Sequence, residues 1–233
     1  MKVLVIDIGG SHVKMLATGQ SDPVRFDSDY HLTPDAFVAR VRDLTHDWEY
    51  DVVSLGYPGT VGQEGPVREP GNLGPGWVGY QFAEAFGKPV RVVNDAAMQA
   101  LGGYDGGRML FLGLGTGLGS ALVTERVVVP LELGNLPYEP DETMGERLGK
   151  HGLERHGKQA WQAAVREAAV ALRQAFVADY VVLGGGNVKQ VDELPHGARR
   201  GGNQDAFKGG FMLWEEWVEP HDATPSAAWR VVR

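Results

Sequence analysis

The chain has 233 residues, 43% hydrophobic and 22% charged, which is ordinary for a globular protein able to bury a substantial core. Its net charge of −8 argues against a general nucleic-acid binder, because neutralising phosphates takes a basic face. There is no Cys, so disulfides and thiolate metal sites are excluded, and no apolar run is long enough to span a bilayer; the expectation is a cytoplasmic protein with no membrane or nucleic-acid partner.

The N-terminus enters a strand at once, with residues 2–8 nearly continuously apolar up to Asp7, so it does not read as a signal peptide. Residues 12–18 return as a hairpin partner, and Val24–Phe26 offers a third strand. Thr33-Pro34-Asp35 signals a helix start with Pro in first position, followed by Phe37, Val38, Val41 and Leu44 at helical spacing. Val52–Leu55 reads as a strand ending in the turn Gly56-Tyr57-Pro58-Gly59. Residues 59–79 are too rich in Gly and Pro for regular helix. Gln81–Phe86 is a short helix, Val90–Val93 a strand and Ala96–Leu101 a helix. Tyr104–Gly107 reads as the junction between an N-terminal lobe, 1–106, and a C-terminal lobe, 107–233. A second strand–glycine–strand unit opens at Met109, with an extra strand at Val127–Leu131. From about Lys158 to Ala178 an Ala-rich helix carries the stripe Trp161, Val165, Ala168, Leu172 and Phe176. Tyr180–Leu183 is a strand running into Gly184-Gly185-Gly186-Asn187. Ala206–Val218 suits a closing strand or helix, and the last fifteen residues read as a loose tail.

Val3–Thr18 and Met109–Thr124 overlay without a gap, each an apolar run, a glycine-rich break and a second β-prone run, although only four of the sixteen pairs are identical. Hairpins early in each half, followed by alternating helices and strands, predict an α/β protein of two similar lobes.

Several residues could carry chemistry. Asp7 ends an apolar strand, where it either caps the following turn or holds a hydrated Mg2+ beside phosphates. Its counterpart in the second copy is Gly113, so one lobe alone supplies the acid. Gly9, Gly10 and Ser11, with Lys14 nearby, could bring backbone N–H groups to a phosphate, and Gly115, Thr116 and Gly117 repeat the arrangement. Neither loop fits GxxxxGK[ST] or a GxGxxG that opens a helix, which counts against a dinucleotide oxidoreductase. Asn94-Asp95 lies between a strand and a helix. One of the two suffices as the helix cap, leaving the other to act as a general base. The glycines at 184–186 either pass flat against a nucleotide or form a plain turn. Residues 147–158, with Arg147, Lys150, Arg155 and Lys158, are either a solvated mixed-charge face or a track for inorganic polyphosphate.

Together these segments resemble the sugar kinases of the repressor/ORF/kinase (ROK) family, nearest its polyphosphate-glucokinase-like members. DIGGSHVK at 7–14 and LGLGTGLGSAL at 112–122 resemble the two phosphate loops. VVLGGGN at 181–187 resembles the nucleotide-side loop, formed by Gly184, Gly185 and Gly186. GNLGPGW at 71–77 resembles the sugar loop, implying a hexose contact at Asn72. VVNDAAMQALG at 92–102 resembles the catalytic segment, implying Asp95 as base and Asn94 as a sugar contact. LELGNLPY at 131–138 resembles the Glu-x-Gly-His stretch, implying that Glu132 binds sugar hydroxyls. There Asn135 replaces the His and no Cys follows, so the structural zinc of many members is not expected. No DNA-reading helix precedes Met1 in this sequence, which disfavours the repressor branch.

The resemblance implies a two-lobed, actin-like or hexokinase-like ATPase fold with duplicated ribonuclease H-like lobes. It implies phosphoryl transfer from ATP, with polyphosphate as an alternative donor, to a hexose such as glucose at its 6-hydroxyl, with Mg2+ as cofactor. A homodimer is compatible with it. A non-catalytic sugar sensor of the same fold is the alternative.

Overall fold

The first apolar run forms β1 (Val3–Ile8), which folds back antiparallel on β2 (His12–Ala17) and β3 (Val24–Asp27). A computed structural model describes residues 1–125, 127–202 and 204–215; the tail read from the sequence therefore lies outside the described residues. Helix α1 (Pro34–Leu44) starts where expected, the Thr33 hydroxyl accepting from the Ala36 N–H. β4 (Val52–Tyr57) and β7 (Val90–Asn94) continue the sheet in parallel, giving the order β3-β2-β1-β4-β7. Between them lie a small hairpin, β5 (Val61–Gly62) and β6 (Gly65–Pro66), and the short helix α2 (Phe82–Phe86). The sequence reading missed this hairpin because two-residue strands leave no alternation to detect. α3 (Asp95–Gly102) follows β7 directly.

The second half repeats this plan. β8 (Arg108–Leu114), β9 (Leu118–Thr124) and β10 (Val127–Leu131) form an antiparallel meander. β11 (Pro137–Glu139) and β12 (Glu142–Thr143) make a small hairpin, followed by α4 (Met144–Leu148) and α5 (Lys150–Ala175). β13 (Tyr180–Gly184) and β14 (Ala198–Arg200) then add in parallel, giving β10-β9-β8-β13-β14. The two sheets thus share one order and one set of strand senses, the duplicated α/β architecture expected from the sequence.

The gapless overlay needs one correction. Ile8 pairs with Val13 across residues 9–12, whereas Leu114 pairs with Leu118 across residues 115–117. The second turn is one residue tighter, so the identities at Leu16/Leu122 and Thr18/Thr124 do not occupy equivalent positions. α5 is two helical segments broken at Gly157, whose φ is +77°; the Ala-rich segment starts at Lys158 as expected and ends at Ala175, and a short segment from Lys150 precedes it. Two glycines among charged residues hid that first segment. Trp161, Val165, Ala168 and Leu172 are buried as the stripe predicted, with Phe176 partly buried beside them.

α6 (Asp205–Met212) is the helical outcome of the closing segment, and it packs on the first sheet against α3 and β1. A Cβ on Gly209 would collide with the Met98 carbonyl, and one on Gly102 with the Asp205 carbonyl. Only glycines let these two backbones pass so closely. Ser54, fully buried on β4, donates to the Gly210 carbonyl at 2.6 Å and accepts from the Trp214 indole at 2.9 Å. α3 also reaches the second sheet, where Ala96, Ala97 and Ala100 pack with Met109, Phe111, Ala121 and Val123. The helix behind Asp95 is therefore shared by both halves.

Candidate active site

Strand β7 ends at Asn94 because that residue turns from extended backbone into the helix and caps it. Its Oδ1 accepts the Ala97 N–H at 3.0 Å, and its Nδ2 donates to the Gly59 carbonyl at 3.1 Å. The cap thus falls to Asn94. Asp95, the first residue of α3, accepts the Ala96 N–H at 2.8 Å through Oδ1. Burial raises the Asp95 carboxyl most, the charge of Asp7 raises it further, and the charge of Glu132 adds a smaller push. The N–H bonds at the helix start pull the other way, and the carboxyl is left at about 7.

Asp7 stands on β1 opposite Lys14 and beside Gly56 of β4. Burial holds its carboxyl above the usual range, against the opposing pull of Lys14. The loop that follows is held by its carbonyls. The Ser28 hydroxyl donates to Gly9 O and the Ser28 N–H to Ser11 O, both at 3.0 Å. Gly10 is where three segments meet, since a Cβ there would lie 2.9 Å from Thr116 Oγ1 and 3.6 Å from Asn72 Nδ2. The Asn72 Nδ2 is buried with no hydrogen-bond partner, a donor available to a ligand.

The second loop is fixed in the same manner. Gly115 O receives the Lys150 N–H at the start of α5 and the Asn187 Nδ2, each at 2.9 Å, and Thr116 O also receives the Lys150 N–H, at 3.2 Å. Gly185, with φ +80°, lies flat on the Leu114 backbone, and the Asn187 N–H donates to Leu114 O at 2.9 Å. Gly184 and Gly186 flank it, so the third glycine run buttresses the second loop. Loops tethered through their carbonyls are suited to offering N–H groups to an anion.

Glu132 comes from the other half of the chain, at the entrance to a 3-10 turn over Leu133–Asn135. Its Oε1 accepts from the Thr60 hydroxyl at 3.2 Å, and Thr60 follows the Gly59 turn that Asn94 holds. Asn135 is exposed on that turn, its N–H bonded to Glu132 O at 3.0 Å. Lys14 is exposed on β2.

The residues present fit a hydrated divalent cation. Asp7 and Asp95 repel each other across the site, and a Mg2+ ion typically needs only one or two carboxylates, with phosphate oxygens and waters completing its shell. Among the described residues no group of three or more His, Cys, Asp or Glu could hold a metal ion. Likewise no described helix is long and apolar enough to cross a membrane.

In the stretch 147–158 each basic side chain of interest already has a carboxylate. Arg147 lies 3.5 Å and Arg155 4.0 Å from Glu142, which also bonds His156 at 2.8 Å. Lys150 lies 3.6 Å from Glu154, and Lys158 2.8 Å from Asp192. This geometry favours the mixed-charge face over a polyphosphate track.

Three further contributors left no mark in the sequence reading. Thr60 joins the two halves through Glu132, Ser28 fixes the first loop, and Glu69 closes the loop carrying Asn72. Each acts on residues distant in sequence or through backbone N–H groups, so no short motif announces it.

No family model matches the chain. A polyphosphate glucokinase of Mycobacterium tuberculosis is 28% identical over 210 residues, spanning 81% of this chain and 78% of the relative. The inorganic polyphosphate/ATP-glucomannokinase of Arthrobacter sp. strain KM superposes with a TM-score of 0.78 at 22% identity, over 91% of this chain and 97% of its own. A ROK-family glucokinase from Streptomyces griseus, solved with glucose and AMPPNP, gives 0.69 at 17% identity over 91% and 99%. Twin sheets of one topology, with paired glycine loops and a carboxylate between them, make this an actin-like, hexokinase-like two-lobed fold. Within that class the chain is similar to polyphosphate glucokinases and to ROK-family sugar kinases, the resemblance its motifs carry.

Proposed function

We propose that the protein is a hexose kinase that moves the terminal phosphoryl group of ATP or inorganic polyphosphate to a hexose, glucose at its 6-hydroxyl in the first instance. The observation that carries the reading is Asp95, a buried carboxyl at the start of α3, raised to about 7 by burial and by the charges of Asp7 and Glu132. A base with that pKa is ionised near neutral pH yet still takes a proton well. In the proposed reaction Asp95 accepts the hydroxyl proton while the sugar oxygen bonds to the terminal phosphorus and the bond from that phosphorus to the rest of the donor breaks. Asn72, Asn94, Glu132 and Asn135 hold the sugar hydroxyls. In the loops Gly9–Ser11 and Gly115–Gly117 the amides of Gly10, Ser11, Thr116 and Gly117 bear the charge of the transferring group, with Gly184–Gly186 on the nucleotide side. The other two amides are engaged, since the Gly9 N–H donates to His12 O and the Gly115 N–H to Gly113 O and Gly117 O. Mg2+, held by Asp7 through water, would neutralise phosphate charge. Closure of the two lobes, one built on each sheet with α6 belonging to the first, would exclude water, limiting wasted hydrolysis.

Both donors are kept because the Mycobacterium relative is named for polyphosphate and the Arthrobacter neighbour for polyphosphate and ATP. A cytoplasmic location and a homodimer fit this reading. A non-catalytic sensor would have no use for a carboxyl tuned in this way.

The test is a panel of hexoses crossed with ATP and polyphosphate in the presence of Mg2+, scored by sugar phosphate formed. Glucose 6-phosphate is the expected product. Sugar binding without phosphorylation from either donor would establish the sensor instead.

A further inference from the structure

Residues 69–78 form a loop whose two ends are drawn together by one side chain. Glu69 Oε2 accepts the N–H groups of Gly76 and Trp77 at 3.1 and 3.0 Å, and Oε1 accepts that of Val78 at 3.2 Å. Partial desolvation would raise this carboxyl, but the three N–H bonds together outweigh it and hold it below the usual range. It therefore stays ionised at neutral pH, where all three bonds are charge-assisted.

The far side of the loop is anchored independently. Trp77 is fully buried among Phe37, Tyr57 and Phe82, with ring centroids 5.4–6.1 Å away. Leu73 is buried, and the Gly74 N–H donates to Leu32 O at 3.1 Å. On the near side, the Tyr57 hydroxyl holds the Arg68 carbonyl at 2.8 Å. Between these anchors lies Asn72, its Nδ2 buried without a partner beside Gly10 and Thr116. Because Glu69 is itself exposed, removing its side chain opens no cavity. What would be lost is the cross-brace that fixes the path of residues 70–72.

We infer that Glu69 is a positioning residue for the hexose, acting through Asn72 by clamping the mouth of this loop. The inference rests on the reading of Asn72 as a hexose contact. The hydrogen bonds of Glu69 go to its own loop and none goes to the phosphate loops among the described residues, so the donor should sense it less than the hexose does.

The test compares Glu69→Ala, Glu69→Gln and Asn72→Ala, alone and combined, by separate KM values for hexose and donor and by Tm. Glu69→Ala should raise the hexose KM about tenfold, the scale at which small misplacements act, and move the donor KM by less than about twofold. Glu69→Gln should fall between it and the parent, since one amide oxygen can accept two of the three N–H groups while the NH2 faces the third. In an Asn72→Ala background the Glu69 substitutions should add less than about twofold, because coupled residues are not additive. An unchanged hexose KM in both Glu69 variants, beside a raised one in Asn72→Ala, overturns the inference and leaves the reading of the site intact. Equal rises in both KM values with a lowered Tm overturn it too, showing a general structural brace. If Asn72→Ala itself leaves the hexose KM unchanged, the reading of the loop fails and the inference with it.

Discussion

Replacing Asp95 by Asn should lower turnover and stabilise the fold together. Turnover should fall roughly 10²–10⁴-fold, the usual weight of a general base. In the parent, kcat/KM should rise with pH to a plateau above about 7, because Asp95 must be ionised to take the proton. One pH unit below that point it should sit about tenfold under the plateau. Stability runs in the opposite direction. Burial and the charges of Asp7 and Glu132 make this carboxyl harder to ionise folded than unfolded, where 3.8 applies. The folded state is therefore penalised wherever the group must be charged. The penalty is absent below about 3.8, grows as pH rises toward 7 and is complete above it. The whole displacement corresponds to roughly 4 kcal/mol, and relaxation around the charge brings the expected gain to about 2–4 kcal/mol. The Asn side chain keeps an oxygen for the Ala96 N–H, so the helix start should survive. Urea unfolding of both proteins at pH 5 and pH 8, without ligands, measures the effect. The advantage of the variant should be large at pH 8 and smaller at pH 5. Equal stability at both pH values, or a variant with more than half the parental turnover when chemistry limits the rate, would refute the reasoning.

Glu132→Gln should raise the KM for hexose far more than that for the donor, since a carboxylate accepts from two neighbouring hydroxyls and an amide must present one end as a donor; steady-state kinetics with each substrate varied would show it. Replacing Arg147, Lys150, Arg155 and Lys158 together by Gln should reduce use of ATP and of polyphosphate alike, because Arg147 and Arg155 help neutralise the buried Glu142. A steep loss confined to polyphosphate, deepening with salt, would instead reveal a polyanion track. Protein purified without tags or added metal should contain no stoichiometric zinc, given a chain without thiols and Asn135 in place of His; one zinc per chain by elemental analysis would contradict this.

Much of the fold was legible because hydrophobic period and glycine punctuation are local signals. The hairpins at 3–17 and 108–124, the Thr33 cap and the Trp161 stripe all announce themselves within a few residues. Asp95 was legible as one of two polar residues where a single cap was needed, and the structure gives the capping to Asn94. The short segment of α5 before Gly157 was not legible, because Gly152 and Gly157 resemble loop residues until their neighbours are known, whereas the Ala-rich segment from Lys158 was. Nor was the one-residue difference between the two turns, which depends on strand register. Thr60, Ser28 and Glu69 stayed hidden because their partners are set by tertiary contact.

The return of α6 to the first sheet has a consequence for how the chain is made. Val5, Ser54 and Met98 are synthesised early, yet among the described residues Ala206, Phe207, Gly210 and Trp214, made last, help cover the faces they present. At about 5–20 residues per second, the nascent first half waits on the order of ten seconds for its covering helix to leave the ribosome. During that interval an apolar surface is open to chaperones or to misassociation, and a truncated chain ending near residue 200 would carry the same exposed surface permanently.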